Sequence, residues 1–410
     1  MKFIHFADLH LGMENYGKLD PQTGLNSRLS DFLNSFDFLI DTAIKENVDL
    51  VVFAGDAFKT REPSPTYQRA FAERIKRLSQ ANIPVFLLVG NHDIPNVSSK
   101  ADTLSIYDTL GIPNVMVASK PGLFEIETGS GPCQIIALPW VTKSHVLTKE
   151  DSKDKSIEEI HQLISEKILQ VLEQMIAKLD PAKPTILACH ATVSGATFGA
   201  ERNVMLGSDI VLPLGSLANS KLNYVALGHL HKHQVLNENP PVVYAGSMER
   251  VDFGEEKEDK GFMMVELIRD DSKFKIQNSK FTETPARSFL TISAEIKENE
   301  LLPTQTVLTE IAKHDVKDKV IKIKVKLPRS ANELLSLKEI KEALKEANNF
   351  AGLQKEFTDS ERIKSAAQEA GVETSPLEAL SKYCKTKNIS TERSKELEKK
   401  AQELISELED

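Results

Sequence analysis

The sequence predicts an α/β fold in which buried strands deliver metal-binding side chains to one edge of a sheet layer. Three observations predict it. Short apolar runs rich in β-branched, aliphatic and aromatic residues recur from Phe3 to Leu227. Each run ends on Asp, Asn or His. Glycine stands at three of these junctions, Gly55, Gly90 and Gly228.

Taken in order, Phe3-Ile4-His5-Phe6-Ala7 precedes Asp8-Leu9-His10, and Leu50-Val51-Val52-Phe53-Ala54 precedes Gly55-Asp56. Val85-Phe86-Leu87-Leu88-Val89 precedes Gly90-Asn91-His92-Asp93. Thr185-Ile186-Leu187-Ala188-Cys189 precedes His190, and Tyr224-Val225-Ala226-Leu227 precedes Gly228-His229-Leu230-His231. Nearly continuous apolar runs suit strands buried on both faces. Functional groups of open α/β sheets collect at the strands' carboxyl ends, so the five segments are expected to converge. In extended chain, residues i and i+2 project to the same side. That spacing would let Asp8 face the site with His10, and His229 with His231. The glycines allow sharp turns and close backbone approach.

So many oxygen and imidazole donors fit two-metal phosphoester hydrolysis best. Asp56 is the expected bridge, because two cations about 3.5–4 Å apart repel unless a carboxylate lies between them. An Asn ligand beside His and Asp points to a borderline-hard divalent ion such as manganese. Singly, the motifs read otherwise: Asp-x-His as a turn or surface pair, Gly-Asn-His-Asp as a turn, His190 as an interior histidine. Their ordered succession at five strand ends favours the metal reading. His5, His145, His161, His233 and His314 are expected to be structural or surface residues.

At 410 residues the chain has room for two or three domains, since roughly 100–200 residues make one. No apolar run approaches the ~20 residues of a membrane span. The chain enters its first strand at once, so no cleavable signal peptide is expected. Cys133, Cys189 and Cys384 are too few and scattered for a disulfide framework. A cytoplasmic, nucleoid-associated protein is expected. The net charge of −9 runs against the usual Lys and Arg excess of nucleic-acid binders. Bound divalent cations would reverse the field locally, and a partner subunit would supply further affinity.

Beyond the strand Gly261–Leu267 and the run Phe274-Lys275-Ile276, composition changes at Thr284-Pro285. Strand Ser288–Ile292, helix Thr304–Lys313, strand Ile321–Leu327 and helix Leu337–Ala347 are expected to form a small α+β module. The alternation of Ile321-Lys322-Ile323-Lys324-Val325-Lys326-Leu327 predicts one buried and one basic, solvated face. From Asp359 the chain is highly charged. Ser375-Pro376 starts a helix carrying Leu377, Leu380 and Cys384, which Asn388 ends. Ser390 caps the next, with Leu397, Ala401, Leu404, Ile405 and Leu408 as a stripe.

The order Asp-x-His, Gly-Asp, Gly-Asn-His-Asp, His, Gly-His-x-His resembles the calcineurin-like metallophosphoesterases. Phe6-Ala7-Asp8-Leu9-His10-Leu11-Gly12 is similar to the opening of the SbcD family, the nuclease subunit of the SbcCD DNA-repair complex. Gly24–Leu29 with Asp31-Phe32-Leu33, the segment Tyr244–Glu255, and Lys260-Gly261-Phe262 resemble the same family. The resemblance implies a β-sandwich flanked by helices, with a metallophosphoesterase nuclease domain over 1–283. A DNA-capping domain would follow over 284–358, then a linker and helix-loop-helix over 359–410 that binds an SbcC-type ATPase through its coiled coil.

It further implies two divalent ions, expected to be Mn2+. Asp8, His10, Asp56 and His231 would hold the first, and Asp56, Asn91, His190 and His229 the second. His92 would protonate the leaving oxygen, with Asp93 orienting its ring. Some relatives carry a His three residues after the bridging Asp; here that position is Lys59. The implied activities are 3′-to-5′ exonuclease action on double-stranded DNA and endonuclease action on single strands and hairpins. They would be ATP-controlled through SbcC, in DNA replication, recombination and repair. Helices bearing Leu29, Phe32, Leu33, Phe36 and Leu39, and Phe71, Ile75 and Leu78, would form a homodimer contact within a heterotetramer, although both stripes also read as core. The alternatives are a phosphodiesterase of small molecules such as cyclic nucleotides, and a non-catalytic scaffold that recruits the ATPase.

Overall fold

The computed structural model describes residues 1–21, 24–95, 100–142, 146–147, 155–199, 209–270, 273–358, 377, 380–381, 383–384 and 389–409. They form two compact units. One comprises Met1–Ile292, Ile311–Ile323 and Lys341–Gly352; the other comprises Ser293–Glu310, Lys324–Ile340 and Leu353–Asp410.

The first unit is built on two six-stranded sheets. Its strands are β1 (Lys2–Phe6), β2 (Leu50–Phe53), β3 (Val85–Leu88), β4 (Val115–Ala118), β5 (Gly122–Thr128), β6 (Gly131–Leu138) and β7 (Thr185–His190). They continue with β8 (Thr192–Val193), β9 (Val211–Leu212), β10 (Tyr224–Gly228), β11 (Gln234–Glu238), β12 (Pro241–Tyr244), β13 (Gly261–Asp270) and β14 (Lys273–Glu283). One sheet runs β14-β13-β1-β2-β3-β4 and the other β11-β12-β10-β7-β6-β5, while β8 pairs with β9. Strands β1 to β4 are mutually parallel, as are β6, β7, β10 and β12. Parallel strands must be covered on both faces, and the period-two alternation shows how.

Phe3, Leu50, Val52, Phe86 and Leu88 of the first sheet meet Ile135, Ala137, Ile186, Ala188, Tyr224 and Ala226 of the second in a shared core. The alternate residues Ile4, Phe6, Val51, Phe53, Val85 and Leu87 turn outward to α1 (Ser27–Lys45) and α2 (Pro65–Gln80). A short α3 (Ser105–Thr109) joins this layer through Tyr107. On the far side, Leu187, Cys189, Val225 and Leu227 pack against α4 (Ile157–Ala177). The result is a sandwich of two sheets between helices. Two of the long outer helices start on side-chain caps. The Asn26 side chain accepts from Arg28 N at 2.9 Å, and Ser156 with Glu159 forms a reciprocal capping box, which satisfies amides that lack intrahelical partners.

The stripe Leu29, Phe32, Phe36 and Leu39 of α1 is buried, as are Phe71, Ile75 and Leu78 of α2. These residues are core, with Leu33 partly buried against them. A contact between chains in this region would have to use other faces of the two helices. A short α5 (Leu214–Leu217) follows β9.

Residues 289–357 add α6 (Pro303–Ala312), α7 (Leu337–Ala343) and a three-stranded sheet of β15 (Phe289–Glu295), β16 (Val320–Leu327) and β17 (Asn349–Phe357). Along β16, Ile321, Ile323, Val325 and Leu327 are buried. The expected basic face is not simply solvated: Lys322 and Lys326 are half-buried, and the Lys322 ammonium lies 4.0 Å from the centre of the Phe253 ring. Helix α8 (Thr391–Glu409) closes the chain, with Ser390 Oγ accepting from Arg393 N at 3.4 Å. The expected helix boundaries at Ser375-Pro376 and Asn388 lie outside the described residues, as does His145. Among the described residues, no helix is long and apolar enough to cross a membrane, and all three cysteines are free and buried.

Phe71 touches the rings of Phe36, Phe53, Phe58 and Tyr107. Phe71→Ala should therefore lower stability by about 3–5 kcal/mol. Urea denaturation followed by circular dichroism should show a clear fall in midpoint, and an unchanged midpoint would contradict the core assignment.

Candidate metal centre

Four of the five strands stop short of the donor residues, while β7 carries His190 as its last residue. β1 ends at Phe6 and β10 at Gly228, and the next residues turn. Asp8 (φ 52°), His10 (φ 47°), Asp56 (φ 64°) and His229 (φ 101°) all have left-handed backbone. The expectation that Asp8 and His10 face the site by extended-chain alternation is thus corrected, since tight turns present them instead. Such conformations cost non-glycine residues of order 1–3 kcal/mol each and persist where the surroundings over-determine them.

The surroundings here are a lattice of backbone hydrogen bonds. Asp8 N donates to Gly55 O at 3.0 Å and His10 N to Asp56 O at 3.1 Å. His229 N donates to the Asp8 carboxylate at 2.9 Å. A Cβ on Gly90 would fall 2.2 Å from Asp56 Oδ1, and one on Gly228 would fall 2.1 Å from Ala54 O. Neither position admits a side chain.

All nine residues singled out in the sequence come together. His10 Nε2 lies 2.9 Å from His231 Nε2 and 3.7 Å from Asp56 Oδ2. On the other side, Asn91 Oδ1 lies 2.9 Å from His190 Nε2 and 3.0 Å from His229 Nδ1. His190 Nε2 is 3.5 Å from Asp56 Oδ1. Asp56 therefore turns one carboxylate oxygen toward each half. Asp8, His10 and His231 form one group whose ligand atoms are mutually within 4.8 Å, and Asp8, Asp56 and His190 form another. His92 also groups with His10 and Asp56, its ring centre 5.0 Å from that of His10.

Asp93 does a different job from the one expected. Its carboxylate accepts from Asp56 N at 2.9 Å, Ala57 N at 3.1 Å and Gly90 N at 2.9 Å, so it ties the β2 and β3 loops together. The His92 ring is held instead by Lys59 O, 2.8 Å from Nδ1. His5 is structural: its ring nitrogens lie 3.1 Å from Tyr224 Oη and from Leu227 O.

Asp8 and Asp56 are 0% and 2% exposed, and two buried carboxylates need compensating charge. Burial pushes the Asp8 carboxyl up to about 6. For Asp56 burial acts the same way, but His190 beside it holds the carboxyl well below the usual range. Burial disfavours the charged His190 ring, yet Asp56 raises it to about 9. Burial and the neighbouring His231 drive His10 well below its ordinary value. Protein charge alone thus leaves a proton on His190 where a cation would otherwise balance Asp56. His10 Nδ1 is buried without a hydrogen-bond partner. The donors fit divalent metal ions: facing imidazole nitrogens, one amide oxygen and carboxylates with an oxygen in each half.

Sequence reasoning missed the residues that orient these ligands. His190 Nδ1 lies 2.7 Å from Ala54 O. His229 Nε2 lies 2.9 Å from Asp209 Oδ2, and His231 Nδ1 2.8 Å from Glu255 Oε1. Glu255 in turn meets the buried Lys260 ammonium at 2.9 Å. Such partners fix the ring orientation and raise the basicity of metal-binding histidines. Glu255 and Lys260 sit in segments the resemblance had marked without giving them a role. Asp209 had no local signal.

A two-sheet sandwich with this donor set at its strand ends defines a metal-dependent phosphoesterase class. Comparison with known families gives the same answer: residues 1–233 match the calcineurin-like phosphoesterases, and the chain belongs to that family. It is 31% identical over 274 residues to the SbcD component of the SbcCD nuclease of Staphylococcus epidermidis, covering 65% of this chain and 66% of that one. The corresponding Escherichia coli K12 protein is 27% identical, over 62% of each chain. The DNA double-strand break repair protein Mre11 of Methanococcus maripaludis is 27% identical, over 71% of this chain and 68% of that one. The match thus spans just under two thirds of the first two relatives' lengths.

Removing an orienting partner should weaken the metals without touching a ligand. Glu255→Gln and Glu255→Ala should lower metal affinity about 10–100-fold, read by calorimetric titration with Mn2+. Affinity equal to the unaltered protein would show that His231 is positioned by other means.

Proposed function

We propose that this chain is the two-metal nuclease subunit of an SbcCD-type complex, cutting DNA phosphodiesters. The convergence of seven metal-donor side chains beside one further histidine, His92, carries the reading, together with the similarity to the SbcD and Mre11 proteins. Asp8, His10, Asp56 and His231 would hold one cation, and Asp56, Asn91, His190 and His229 the other, with Mn2+ as the physiological ion. When bound, the cations supply Lewis-acid neutralisation of the phosphate and an activated water.

The chain's own residues do the rest. With Nδ1 directed at Lys59 O, His92 has Nε2 left to carry the proton to the leaving 3′-oxygen. Asp93 keeps His92 in place indirectly, by fixing the loop that carries it. Lys59 lies close enough for its charge to act on both His10 and His92, where it would also attract the scissile phosphate. The module over 284–358 would guide DNA to the metals. The tail over 359–410 would dock on the coiled-coil base of an SbcC-type ATPase, which would control 3′-to-5′ exonuclease and hairpin-opening activity. Two copies would assemble with two ATPase chains.

Purified protein should cleave linear duplex, hairpin DNA and bis-p-nitrophenyl phosphate with Mn2+, and none of them with chelator. Cleavage of the small ester without any DNA substrate would favour a small-molecule enzyme. His92→Ala should keep metal binding but lose about 10²–10⁴-fold in rate, measured at saturating Mn2+. Near-normal cleavage would exclude His92 as the proton donor.

A further inference from the structure

A cavity of about 1070 Å³ adjoins the site at Asn91 and is larger than a single small ligand requires. Asn91 and Trp140 are among its lining residues. Asn91 Oδ1 is the atom shared by His190 and His229. The indole of Trp140 lies 4.8 Å from the His229 ring at an interplanar angle of 35° and 6.1 Å from His190. The Trp140 backbone N donates to Val89 O at 3.0 Å, which ties its main chain to the segment that leads to Asn91. The indole is half-buried and forms part of the cavity wall.

The other walls are cationic and amphipathic. Among the described residues, Arg61, Lys100, Lys120 and Lys167 line them, with Asp102 as the acidic group. The Asp102 carboxylate is engaged by Leu104 N, Ser105 N and Ser105 Oγ. Arg61 Nε reaches Asn91 O at 3.3 Å, Lys100 pairs with Glu62 at 2.5 Å and Lys167 Nζ reaches Val146 O at 3.3 Å. A chain with net charge −9 thus concentrates positive charge beside its phosphoester centre. An aromatic plane with cations along the walls is how single-stranded nucleic acid is held without sequence preference.

We propose that this cavity binds the nucleotides flanking the scissile phosphate as a single strand, with Trp140 as the stacking platform for a base. The proposal rests on the phosphodiesterase reading and adds what the enzyme grips. A base inside a duplex is stacked on both faces, so it must leave the stack before the indole can cover it. Trp140 is a positioning residue: it contacts the substrate's base on one side and the ring of a metal ligand on the other.

The chain has a single tryptophan, so its emission reports on this wall alone. In the full-length protein with chelator present, a hexameric oligothymidylate should quench that emission saturably, and inorganic phosphate should not. In anisotropy with a fluorescein-labelled strand, Trp140→Leu should weaken binding at least about fivefold, the lower end of the loss expected for one base–aromatic stack. Trp140→Tyr should restore most of that loss, which a merely structural role would not predict. Lys120→Glu, at an exposed position, should weaken binding without altering the emission of the free protein. Strand binding with unchanged emission, or equal affinity for wild type, Trp140→Leu and Trp140→Tyr, would overturn the proposal. Hydrolysis of bis-p-nitrophenyl phosphate by the unaltered protein scores the parent reading separately. If hydrolysis occurs without strand binding, only the cavity assignment fails; if neither occurs, both fail.

Discussion

Two buried carboxylates, Asp8 and Asp56, set the constraint on which this structure depends. A buried anion without compensation is among the costliest features a protein can carry. Here both lie at the meeting point of two sheets, surrounded by imidazoles rather than by lysines or arginines. Backbone amides of His229 and His92 supply part of the compensation, and His190, 3.5 Å from Asp56 Oδ1, faces the same carboxylate. The rest is left for cations. The fold keeps the carboxylates in place with left-handed turns, a conformation uncommon for any residue but glycine.

That strain is held by packing on both sides. The sheets share a core through alternate residues of every central strand, while the other residues meet α1, α2 and α4. Parallel strands from both sheets therefore end at one rim, each in a fixed rotation. Asp93 then joins the β2 and β3 loops by three amide hydrogen bonds. Burial and the adjacent Asp56 raise its carboxyl to about 7, a measure of how crowded with negative charge this rim is. At the opposite side, Glu255 and Lys260 bring the 244–260 segment under His231. A second buried network holds that segment to α1: Arg28 bonds Asp31 at 2.6 Å and Arg250 O at 2.5 Å, with Glu249 at 3.6 Å from the same guanidinium.

The sequence made the five ligand-bearing strands legible because each is buried on both faces and therefore reads as an unbroken apolar run. The glycines were legible for the same local reason, since no Cβ fits at Gly90 or Gly228. Strands β4, β5, β11 and β12 were not, because none of them ends on a marker residue. In β5, Gly122–Thr128 mixes apolar residues with glutamates at the edge of its sheet. The geometry of the Asp8–His10 turn was also hidden, since the modest tendency of Asp and His toward left-handed φ is realised here through hydrogen bonds to Gly55 O and Asp56 O, distant in sequence. The resemblance implied that Asp93 orients the His92 ring; its carboxylate here accepts from the backbone amides of Asp56, Ala57 and Gly90, contacts that only the fold brings together. Asp209 and Trp140 lie far from the motifs in sequence and reach the centre only through the fold.

Asp56 turns one oxygen toward His10 and the other toward His190, and in the proposed function it would join two cation sites. Mn2+ stoichiometry of the full-length protein, measured by calorimetry alongside elemental analysis of the dialysed sample, tests that role most directly. Two ions per chain in the unaltered protein, falling to one or none in Asp56→Ala with circular dichroism preserved, is the predicted result. A folded Asp56→Ala protein that still binds two ions would contradict it.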